Sequence, residues 1–159
     1  MSAFRQGVVM AFFITICFGV AGIGSVFTMP SVTNWYSGLA KPTWTPPSWL
    51  FGPVWTVLYL SMAVAAWLVW RQAGQANVAI PLAIFGIQLT LNLAWSIIFF
   101  GRHEIGLAMV DIVLLWMAIL ATILTFRNVN TFAGWLLVPY LAWVTFASAL
   151  NYAIWRMNR

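Results

Sequence analysis

Five long apolar runs, separated by short polar or basic segments, divide the chain. The first, Gly7 to Phe27, carries no charge over about 21 residues, which at about 1.5 Å per residue crosses a hydrocarbon core of about 30 Å. The others are Trp49 to Trp70, stopped by Arg71 and the polar QAGQAN at 72–77; Val78 to Phe100; Gly106 to Phe126; and Thr131 to Trp155, ending in Arg156 and Arg159. This pattern predicts an all-α fold, one domain over residues 1–159, with five transmembrane helices at 7–27, 49–70, 78–100, 106–126 and 131–155. The last three connections are short, so consecutive helices are expected as antiparallel neighbours. Gly19, Ala21, Gly22, Gly24 and Ser25 make the second half of the first run thin, so another helix is expected to approach there. The length of that run exceeds the apolar core of a cleaved signal peptide, and it is read as a retained helix.

The first connection differs from the rest. Trp35 to Tyr59 reads WYSGLAKPTWTPPSWLFGPVWTVLY and holds four Trp, four Pro and the only Lys, Lys41. Pro42, Pro46 and Pro47 lack a backbone donor and fix their own φ, which predicts an ordered, non-helical loop over 29–47 that lids one end of the bundle. Ser48 is expected to cap the helix that follows, with Pro53 in its first turn.

Composition agrees with a membrane protein. Hydrophobic residues make up 64% of the chain and charged residues 6%, against about a quarter charged in soluble domains. The net charge of +5 comes from seven basic residues scattered between the apolar runs, with no stripe of the kind that binds nucleic acid, so no nucleic-acid partner is expected. Arg5, Arg71 and Arg127 fall on one side; Lys41, Arg102, Arg156 and Arg159 fall on the other with Glu104. That difference is small, and a cytosolic C-terminus is the expected orientation. Cys17 stands alone in an apolar run, which excludes an intrachain disulfide and reads as packing.

Polar groups inside a membrane are expensive unless paired or facing a cavity. In the third run Gln88, Asn92, Trp95 and Phe99 share a helical face; in the fifth, Trp143, Ala147, Leu150 and Asn151 do the same, and in the second Trp55, Tyr59 and Met62. Converging under the loop, these stripes would wall a pocket for a large planar apolar ligand. The competing reading is that the amides join helices and the Trp residues form interfacial belts. Trp35, Trp44, Trp67, Trp70 and Trp155 sit at run ends and suit belts, while Trp55, Trp95 and Trp143 suit a pocket. Asp111 is expected in a structural pair, with Arg102 or a helix N-terminus as partner, and His103 as a solvated turn residue. No nucleophile–base set, paired carboxylate, phosphate loop or metal-ligand cluster is visible, so no metal is expected. Thr145, Ala149 and Ala153 form a ladder of small residues that suits helix packing or a dimer.

Several longer motifs stand in one order: WY at 35–36, LAKPTWTPPSW at 39–49, GPVWTVLY at 52–59, QLTLNLAW at 88–95, FFG at 99–101, VPYLAW at 138–143 and LNYAIWR at 150–156. Together they resemble the tryptophan-rich sensory protein / translocator protein family, also called the peripheral-type benzodiazepine receptor family, over nearly the whole chain. The resemblance implies a five-helix membrane protein, commonly a homodimer, that binds porphyrins and, in mitochondrial members, cholesterol and benzodiazepine-type drugs. It implies Trp55 and Trp143 as pocket residues and as the candidates for any catalytic role. Asn92, Trp95, Ala147, Leu150 and Asn151 match further pocket positions, and Tyr59 and the loop residue Trp44 complete the expected ligand-binding set. Leu150, Tyr152 and Arg156 fit a loose sterol motif. Leu107 stands where mammalian members usually carry Trp.

The expected function is therefore a membrane receptor that binds tetrapyrroles or other planar apolar molecules, needs no resident cofactor and contacts membrane lipids. The alternatives are a transporter of such ligands and a light-dependent porphyrin-degrading activity that uses pocket Trp residues. A bacterial membrane is preferred over the mitochondrial outer membrane.

Overall fold

The computed structural model describes residues 2–159, which form helices and turns and, among the described residues, no strand. The elements are α1 (Ala3–Asn34), α2 (Phe51–Trp70), α3 (Ala79–Ser96), α4 (Ile105–Val129), α5 (Thr131–Leu136) and α6 (Val138–Met157). A 3₁₀ turn at Ser48–Leu50 extends α2, a π turn at Ile97–Gly101 extends α3, and α5 and α6 follow one another, so five helical stretches are long and apolar enough to cross a bilayer. The helix ends follow local chemistry. Ser2 accepts from Arg5 N at 3.3 Å and starts α1, and Asn130 Oδ1 accepts from Ala133 N at 3.0 Å and starts α5. Pro139 lies in the first turn of α6, where a missing N–H costs little and where the helix re-forms after a break at Leu137.

Two boundaries differ from expectation. The first helix continues past Phe27 to Asn34 with Pro30 inside it. Thr28 and Thr33 bond the carbonyls of Gly24 and Pro30, so residues that read as a polar exit are accommodated within the helix. Ser48 makes no capping bond; it begins the 3₁₀ turn, and Leu50 is the N-cap of α2.

Around the bundle α1 packs on α2, α2 on α5, α4 on α5 and α6, and α3 on both α4 and α1. Helices α2 and α3, though consecutive, touch only lightly, because α1 is the neighbour of both. The half of the bundle near the N-terminus is solid. Ala63, Ala66, Val69, Ile119, Phe126 and Leu137 are buried there, and Phe85 stacks on Phe126 at 5.8 Å. Small side chains on α2 let its neighbours close in, which is how a membrane bundle gains van der Waals contact without a solvent-driven term. The half under the first connection is hollow.

Candidate ligand cavity

The connection between α1 and α2 is held shut by polar bonds that its sequence supplies. Lys41 Nζ donates to the carbonyls of Tyr36, Leu39 and Ser37 at 2.7, 3.0 and 3.2 Å and lies 4.9 Å from the Tyr36 ring centre. The only lysine of the chain thus folds the loop around its own ammonium. Asn158 pins the loop to the end of α6: its Oδ1 accepts from Ala40 N at 3.0 Å and its Nδ2 donates to Ala40 O at 2.8 Å. Ser31 donates to Phe100 O at 2.6 Å and ties the end of α1 to the π turn. Burial raises the pKa of the Tyr36 hydroxyl, which therefore stays neutral under the lid.

Beneath this lid lies a cavity of about 710 Å³. Of the sequence-predicted residues, Trp55, Tyr59, Asn92, Trp95, Trp143, Ala147, Leu150 and Asn151 all line it, so the stripes of α2, α3 and α6 converge except at Gln88 and Met62, which are buried outside the lining. Trp44 does not: it is 49% exposed and packs edge-on against Phe146 at 5.7 Å, outside the cavity. The residues of the sterol motif are not brought together either. Leu150 faces the cavity, whereas Tyr152, about 200° further round the helix, is 47% exposed beside Trp155, and Arg156 is exposed.

The amides are joined to tyrosines in a chain with one direction. Tyr59 donates to Asn92 Oδ1 at 2.6 Å, Asn92 Nδ2 to Tyr140 Oη at 2.7 Å, Tyr140 to Gln88 Oε1 at 2.9 Å, and Gln88 Nε2 to Met62 Sδ at 3.6 Å. This chain links α2, α3 and α6 at the floor of the cavity. Nearer the lid, Trp95 Nε1 donates to Asn151 Oδ1 at 3.0 Å, and Asn151 Nδ2 to Ile105 O at 3.1 Å. The amides therefore serve as interhelical joints and as cavity lining together. By contrast Trp143 Nε1 is buried with no partner among the described residues. A buried donor left unpaired costs about 1–3 kcal/mol, and this one belongs to a ring on the cavity wall.

Two expectations are corrected. Asp111 is buried, but its Oδ2 has no hydrogen-bond partner among the described residues, so neither Arg102 nor a helix N-terminus pairs with that oxygen. His103 is exposed in its turn, as expected; there it takes φ 58°, stacks on Trp35 at 4.1 Å and has Nε2 3.4 Å from Ser31 Oγ. The glycines of α1 are not all sites of close approach. A Cβ at Gly24 would meet Ser96 Oγ at 3.4 Å, but one at Gly19 or Gly22 would meet nothing within 4 Å. Gly22, Ser25 and Met29 instead form a cavity wall that sequence reasoning missed, as it missed the fully buried Tyr140. The spacing of Phe18, Gly22, Ser25, Met29 and Val32 along one face of α1 was the available signal.

The model of the TspO/MBR family matches residues 13–156. The chain is 44% identical over 155 residues to "Tryptophan-rich protein TspO" of Chlorobaculum tepidum, covering 97% of this chain and 98% of that one. It is 44% identical over 138 residues to "Translocator protein" of Homo sapiens, covering 86% and 82% respectively. It is also 45% identical over 135 residues to "Tryptophan-rich protein TspO" of Archaeoglobus fulgidus, covering 85% and 87%.

Proposed function

Because the chain belongs to the TspO/MBR family, we propose that its lidded cavity is a receptor site for large planar apolar ligands, porphyrins first, with sterol-like and benzodiazepine-type molecules as further candidates. The protein itself is integral to the membrane and multi-pass. The observation that carries the reading is the unpaired, buried N–H of Trp143 on the wall of a mostly aromatic and aliphatic cavity. Ligand sites of roughly 300–1,000 Å³ combine apolar walls with a few placed polar groups, and this cavity has that make-up. Flat indoles at Trp55, Trp95 and Trp143 suit the faces of a conjugated ring, and the free indole N–H suits a carbonyl or carboxylate at its edge. The polar groups of the lining are hydroxyls, amides and indoles, which hold and orient a ligand; no lining residue is an acid, an amine, a thiol or an imidazole. This composition favours binding over acid–base chemistry.

A bacterial membrane is the proposed location. Similarity to the Chlorobaculum tepidum protein runs over 97% of this chain and 98% of that one, a fuller match than with the human protein.

Titration of the purified protein with protoporphyrin IX in the dark, read by tryptophan fluorescence, tests the binding reading. Saturable quenching is expected, about threefold to tenfold weaker in affinity for Trp143→Phe, which keeps an aromatic face and removes one hydrogen bond worth about 0.5–1.5 kcal/mol. Quenching without saturation, or an unchanged affinity in the variant, would contradict it.

A further inference from the structure

A second concavity lies on the outer surface of the bundle, between α2 and α6. It has a volume of about 610 Å³ and is lined by Pro53, Val57, Pro139, Ala142, Trp143 and Phe146, with Val54 and Leu58 behind them. None of these side chains carries a charge, and Val57 is 62% exposed. Its walls belong to two membrane-spanning stretches, Ser48–Trp70 and Thr131–Met157, so it opens at bilayer depth. Trp143 lines both this groove and the inner cavity. The wall between them is made of side chains: Phe51 meets Trp143 at 5.8 Å and Trp55 meets Tyr140 at 6.1 Å, both edge-on.

We propose that this groove is a binding site for one acyl chain of a membrane phospholipid, lying against the Trp143 side of the bundle with its headgroup end toward the first connection. Three observations lead there. The lining offers an occupant only apolar contact, which suits hydrocarbon. Both walls are tied to the same bundle, α2 through α5 and α6 through α4. A gap between helices of one bundle admits a single chain more readily than a partner helix about 10 Å across. Finally, Phe146 of the groove packs edge-on at 5.7 Å against Trp44, an exposed indole carried by the first connection. An indole at the boundary of apolar groove and polar loop is the placement Trp takes at lipid headgroups. An amphiphile fits both ends of that arrangement. The site lies outside the lidded cavity and does not depend on what that cavity holds.

The test is photolabelling of the full chain in nanodiscs of phosphatidylcholine containing an acyl-chain diazirine, mapped by peptide mass spectrometry. Labelling at Val57, Ala142 and Phe146 is expected to exceed that at Val110 and Leu114, lipid-facing residues of α4, by about fivefold or more. Ala142→Trp, which fills the groove, should bring it down to the α4 level, and Val57→Trp should do the same if Ala142→Trp fails to fold. Equal labelling at the groove and α4, or labelling untouched by a folded groove-filling variant, would overturn the proposal. So would absence of groove labelling together with an intermolecular disulfide from Ala142→Cys, which would give the groove to a second copy of the chain.

Discussion

Tyr140 shows how much one side chain can organise in a low-dielectric bundle. Its hydroxyl accepts from Asn92 and donates to Gln88, and its ring is fully buried against Trp55. Tyr140→Phe keeps the ring but leaves both amides short of a partner. A neutral intramembrane hydrogen bond is worth about 0.6 to 2 kcal/mol, and two are lost, so unfolding in mixed micelles should show a loss of about 1–4 kcal/mol. A Tyr140→Phe protein within 0.5 kcal/mol of wild type by that assay would mean that the chain of bonds is incidental. The sequence showed the amide partners of Tyr140 because Gln and Asn are conspicuous in an apolar helix. Tyr140 itself was hidden, since a tyrosine within VPYLAW reads equally as a belt residue. Asp111 was conspicuous for the same reason as the amides, yet its partner could not be read, and the expected pair with Arg102 is absent. Spacing tells which face a polar group takes and says little about what lies opposite.

Among the elements, the loop between α1 and α2 is the one whose order rests on few bonds. Lys41 satisfies three carbonyls and Asn158 two backbone groups of Ala40. Lys41→Met should speed hydrogen exchange over 36–47 by about tenfold or more while changing global stability by less than about 1 kcal/mol, because the bonds it removes are local to the lid. Unchanged exchange would show that the prolines alone hold the loop. Proline and aromatic clustering made this loop legible from composition, and the end of α2 was legible from Arg71, whereas α4 runs past Arg127 to Val129. The end of α1 was not legible: Pro30 and the hydroxyl residues around it imitate an exit, and only the structure shows their side chains bonding carbonyls of the same helix. The break at Leu137 was equally hidden, because the apolar run continues through it.

At the scale of the whole molecule, the bundle is closed at one end and hollow at the other. Large rings and small alanines interlock in the half of the bundle near the N-terminus, and the lid covers a space walled by α1, α2, α3 and α6. Arginines at the closed end sit over tryptophans, Arg5 over Trp70 at 5.6 Å, Arg71 over Trp67 at 4.7 Å and Arg127 over Trp135 at 5.4 Å, an aromatic and cationic rim suited to the membrane surface. The proposed placement of the planar ligand is in the hollow half and on no other part of the surface. Its most direct test is the dark affinity for protoporphyrin IX of two variants that each add a ring, Ala147→Phe inside the cavity and Val110→Phe on the lipid-facing side of α4. Affinity at least about tenfold weaker for Ala147→Phe, with Val110→Phe equal to wild type, is the predicted result; a folded Ala147→Phe protein that binds as wild type does would contradict the claim.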